Sequence, residues 1–74
     1  MDSELKNLLE LLVEDSKSCQ DPSVFDPKTH ETIVKIHNYI VRGSYTMNEF
    51  KTFIKDNNLG IFGEELIEEM EKLG

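Results

Sequence analysis

Tyr45-Thr46-Met47-Asn48-Glu49-Phe50 is the stretch whose reading decides the fold. Thr46 and Glu49 stand at the spacing of a capping box, in which hydroxyl and carboxylate satisfy each other's backbone amides at the start of a helix. Tyr45 before the cap and Phe50 in the first turn after it are spaced as a hydrophobic staple. Met47, Phe50, Phe53 and Ile54 then recur at helical intervals and line one face. Asn57-Asn58-Leu59-Gly60 stops the helix, with Asn58 placed for left-handed backbone and Leu59 for folding back on Ile54.

Reading outward toward the C-terminus, Gly63 is the expected N-cap of a last helix, and Phe62 and Ile67 repeat the staple spacing. Leu66, Ile67, Met70 and Leu73 are expected to face the core, while Glu64, Glu65, Glu68, Glu69 and Glu71 cover the rest. Toward the N-terminus, Gly43 is placed as the left-handed cap of a preceding helix. Asp26-Pro27 starts that helix: the carboxylate accepts orphan amide protons and the ring pre-sets φ. Ile33, Ile36, His37, Ile40 and Val41, extended by Val34, give it a broad apolar face, so it should touch at least two other helices. In the first segment Ser3 is the expected N-cap. Leu5, Leu8, Leu9 and Leu12 form one stripe, and Leu11 lies off it, either at the edge of a wide face or exposed. Cys19-Gln20-Asp21-Pro22-Ser23 closes this helix, since a residue before proline leaves helical geometry. No run alternates with period two. The expectation is an all-α fold, a small bundle of three to four short helices over about residues 3–18, 27–42, 47–57 and 64–73, forming a single domain across residues 1–74.

A chain of 74 residues buries only about 60% of its unfolded surface, so an enzyme-sized buried pocket is not expected. Fifteen acidic against eight basic side chains give a net charge of -7, which repels nucleic acid and anionic lipid. Cys19 is the single cysteine, so no internal disulfide or paired-cysteine metal site can form. The N-terminus lacks a basic region followed by an apolar run, and no apolar stretch approaches ~20 residues, which makes the cytoplasm the expected location and membrane association unexpected.

Each chemical motif fails on spacing or environment. A calcium loop read from Asp56 would have Gly60 at position 5, Ile61 at position 6 and Ile67 at position 12, so glycine is misplaced and the bidentate carboxylate is missing. His30 and His37 stand two turns apart on one helix, about 10 Å, too far to share a metal. His37 reads instead as a core-edge histidine with one satisfied nitrogen. Cys19 lies among acids, which raise a thiol pKa, and no carboxylate sits in an apolar pocket fit for general acid work. No catalytic residue, cofactor or metal is therefore expected. A helix-turn-helix is opposed by a link from Asn58 to Gly63, longer than usual, and by five glutamates against Lys72 on the would-be recognition helix. No family motif is matched. Size, charge and helical content are similar to those of the small acidic helical immunity proteins that cap bacterial nucleases, with no residue roles carried over.

The acidic last helix is the most informative feature. Glu64–Glu68 and Glu65–Glu69 are like-charge pairs at i,i+4, each costing about 0.2–0.5 kcal/mol, and the helix dipole explains only the first two acids. The functional expectation is a small protein-binding regulator or inhibitor that covers a basic surface of a protein partner with Glu64, Glu65, Glu68, Glu69 and Glu71, nucleic-acid charge mimicry being one form of this. The alternative is a structural subunit of an oligomer or larger assembly, associating through Leu11 and Tyr39, both off their helices' apolar stripes.

Overall fold

In the computed structural model, residues 3–18, 25 and 27–74 are described. Four helices follow in order: α1 (Ser3–Ser18), α2 (Pro27–Val41), α3 (Met47–Asp56) and α4 (Gly60–Leu73). No strand occurs among the described residues. The chain is a small all-α bundle.

The deciding stretch behaves as its chemistry requires at Thr46. Its backbone is extended (φ -124°, ψ 155°) and its hydroxyl accepts the Glu49 amide proton at 3.1 Å. The reciprocal Glu49 bond of the box is not made among the described residues, so one half of it holds the helix start. Tyr45 and Phe50 are both buried, as a staple requires. Burial first, and the negative charge of Glu49 second, push the Tyr45 hydroxyl from 10.0 up to about 12.

Two left-handed caps end helices in the same way. Gly43 has φ 81°, with its amide on the Ile40 carbonyl and the Ser44 amide on the Tyr39 carbonyl, both at 3.0 Å. Asn58 has φ 51°, donates to the Lys55 carbonyl at 3.2 Å, and the Leu59 amide reaches the Ile54 carbonyl at 3.5 Å. Both are Schellman motifs, which satisfy the orphan carbonyls of a last turn. The second folds Leu59 back onto the core.

Main helix–helix packing runs α1 on α2, α2 on α4, and α4 on α3. The broad-faced second helix thus touches two others. The core is Leu5, Leu8, Leu9 and Leu12 of α1, Ile33, Ile36 and Tyr39 of α2, Phe50 and Ile54 of α3, and Phe62, Leu66 and Met70 of α4, with Tyr45. Phe25, before α2, meets Phe62 edge-on with ring centroids 5.4 Å apart. By size, the margin of stability is about 4–11 kcal/mol. Truncating fully buried Leu12 to alanine would remove about 2–5 kcal/mol of it.

Several expectations are corrected. The last helix begins at Gly60, not at 64, and Gly63 is not its cap but lies buried inside it. At Gly63 α4 lies close against α3: a Cβ there would collide with Ile54 Cγ2. Phe62 is accordingly an interior core residue, and its pairing with Ile67 is not a staple. On α2 the buried face is rotated from the expected one. Tyr39 is only 6% exposed and belongs to the core, whereas Val41 is 70% exposed. The cause is two threonines that the hydrophobic pattern counts as polar. Thr29 and Thr32 are buried because their hydroxyls find partners, the first on Asp15 Oδ2 of α1 at 2.9 Å and the second on the Lys28 carbonyl at 3.1 Å. Leu73 lies at the exposed edge of the core rather than within it. Ser3 is the first helical residue rather than a cap outside the helix. Asp26, Cys19 and Pro22, expected as helix start and stop signals, lie outside the described residues.

Candidate functional site

On α4 the core side is taken by Phe62, Gly63, Leu66 and Met70. At ~100° per residue this turns Glu64, Glu68 and Glu71 outward, and all three are exposed. Glu65 and Glu69 lie on one flank and are half-buried. The five glutamates therefore form a patch wrapping from the outer surface to one edge, not a single row. Lys72 is its one cation on this helix, 3.4 Å from Glu69 Oε1 and 3.9 Å from Glu68 Oε1. Glu64, Glu65 and Glu71 make no ion pair among the described residues. Exposed pairs such as those of Lys72 contribute about 0–1 kcal/mol, so the patch keeps its negative field.

Ile61, which the sequence pattern assigns to the connector, is a surface residue of the helix. It is the second residue of α4, is 63% exposed, and stands three, four and seven residues before Glu64, Glu65 and Glu68. Those spacings place it on the acidic side of the helix. Its place on this face depends on the helix beginning at Gly60 rather than at 64.

The two expected apolar contacts separate. Leu11 is 38% exposed and borders an open groove between α1 and α3. Tyr39 offers no such surface. Its ring packs in the core, with the Arg42 guanidinium over it at 4.5 Å from the centroid. His37 is half-buried at the core edge, but neither ring nitrogen is hydrogen-bonded among the described residues.

The connector between α3 and α4 is Asn57-Asn58-Leu59, three residues by the helix bounds, so a long link no longer counts against a helix-turn-helix. Charge remains the argument: the outward face of α4 would meet phosphates with Glu64, Glu68 and Glu71. Among the described residues no three His, Cys, Asp or Glu side chains gather as a metal site, and no helix is long and apolar enough to cross a membrane. The chain matches no protein-family model, and no curated protein or solved structure matches it either.

Proposed function

We propose that this chain is a protein-binding regulator or inhibitor that acts by docking the acidic side of α4 on a basic surface of a partner protein, rather than by catalysis. The observation carrying this reading is Ile61, 63% exposed amid Glu64, Glu65 and Glu68. A face that serves only for solubility needs charge alone. An exposed isoleucine inside an acidic rim has the makeup of an interface: an apolar anchor excludes water while the surrounding charges steer encounter. The net charge of -7 favours a basic partner and disfavours both nucleic acid and a second copy of the chain. Mimicry of nucleic-acid charge is the form this would take on a nucleic-acid-binding partner.

The test is affinity capture from the native host with three baits: wild type, Ile61→Ser, and Glu64→Gln/Glu68→Gln/Glu71→Gln. A basic protein held by wild type and lost with both variants supports the reading. A partner held equally by all three sends the interface elsewhere on the bundle.

A further inference from the structure

α1 and α3 leave a groove of about 730 Å³ between them, its apolar lining supplied by Leu9, Leu11, Val13 and Phe53. Phe53, half-buried, also lines a second depression of about 390 Å³ along α3. The two share Phe53 as a wall, and the adjoining pair makes up a trough along α3. No α4 residue contributes to either depression, so the trough is separate from the acidic patch.

Its charge is sorted. Glu10 and Glu14 border it from α1, and Glu49 and Asp56 border it from α3. Lys51 and Lys55 project to the opposite flank of α3, because at ~100° per residue they fall about 160° from Phe53. The cations nearby are Lys6 on the rim and Lys17, which lies 4.0 Å from Glu14 in a highly exposed pair. Four acids against two bases leave the rim negative.

We propose that this trough binds a helix of a partner protein, one with an apolar stripe flanked by lysine or arginine. Such a helix lays residues at i, i+3, i+4 and i+7 into an apolar groove. Here Leu11, Val13 and Phe53 receive the stripe while Glu10, Glu14, Glu49 and Asp56 meet the flanking cations. Self-association would set two rims of like charge against each other, on chains that each carry -7. An acidic helix meets the same repulsion.

The probe is a synthetic amphipathic helical peptide with leucine at those four spacings and lysine elsewhere, titrated into ¹⁵N-labelled full chain. Two comparison peptides replace every lysine by glutamate, or every leucine by serine. The expected result is saturable shifts of α1 and α3 amides around the trough with the leucine–lysine peptide only. Affinity falls about tenfold or more in Leu11→Ser/Val13→Ser, substitutions at an exposed and a half-buried position that leave the core intact. Glu10→Gln/Glu14→Gln/Asp56→Asn, which touches no packing, weakens binding at low salt and less so at high salt. The proposal is overturned by equal binding of the leucine-free or glutamate peptide, by shifts confined to α4, by concentration-dependent shifts at the trough without peptide, or by no shift at about 1 mM peptide. Shifts confined to α4 would leave the proposed function standing, and loss of the α4 interface would leave this site standing.

Discussion

Gly63 of α4 sits so close to Ile54 of α3 that any side chain at position 63 would occupy the space of Ile54 Cγ2. Leu59 Cβ lies 3.0 Å from the same point. Helical propensity alone favours alanine over glycine by about 1 kcal/mol, but an overpacked contact costs about 1–3 kcal/mol. Gly63→Ala should therefore destabilise the chain by up to about 2 kcal/mol in urea unfolding. A raised midpoint would show that α3 and α4 do not approach this closely.

Thr46 and Glu49 should be unequal partners. Thr46→Ala removes the hydroxyl that accepts the Glu49 amide and should cost about 0.5–2 kcal/mol. Glu49→Gln, at a side chain that returns no bond, should stay within about 0.5 kcal/mol. Equal losses in thermal melts would mean that the full capping box forms in solution.

Local signals were legible in the sequence, and long-range ones were not. The Thr46 cap and the left-handed positions of Gly43 and Asn58 depend on residues within one turn of each other, so spacing reveals them. The buried α2 face lies about one residue's rotation from the one its apolar pattern marks, because burial of Thr29 depends on Asp15, fourteen positions away. Gly63 shows the same divide: a glycine near a helix start reads as a cap until the neighbouring helix is in place. For the candidate site, the glutamates of α4 were visible as composition. Ile61 and the trough at Phe53 were not, since the first required the true helix start and the second required two helices side by side.

The bond from Thr29 to Asp15 ties α1 to α2 inside the bundle. Thr29→Val keeps the shape and removes the donor, leaving a half-buried Asp15 to find water. The expected loss is about 1 kcal/mol, measured by urea unfolding near neutral pH. A variant as stable as wild type would mean that this bond does not persist in solution.

Tyr45 makes stability sensitive to alkali. Its hydroxyl titrates near 10.0 when unfolded and at about 12 when folded, raised by burial and then by Glu49. Because the fold favours the neutral phenol, this contribution is intact below about pH 10 and is lost as pH rises toward 12. Chemical denaturation from pH 9 to 12, ~3 units spanning that window, should show a steeper fall in wild type than in Tyr45→Phe. Parallel curves would place the hydroxyl in water.

The central claim, an acidic docking face on α4, is tested most directly by the association rate with the captured partner as salt is varied. Glu64→Gln/Glu68→Gln/Glu71→Gln relieves the Glu64–Glu68 repulsion at nearly unchanged helix propensity, so its fold should be as stable as wild type. Steering by the acidic face predicts that this variant associates about tenfold more slowly at low salt, with the gap closing as salt rises past ~0.15 M, where the screening length is ~8 Å. Identical association rates at low salt, in a variant verified as folded, would contradict the account.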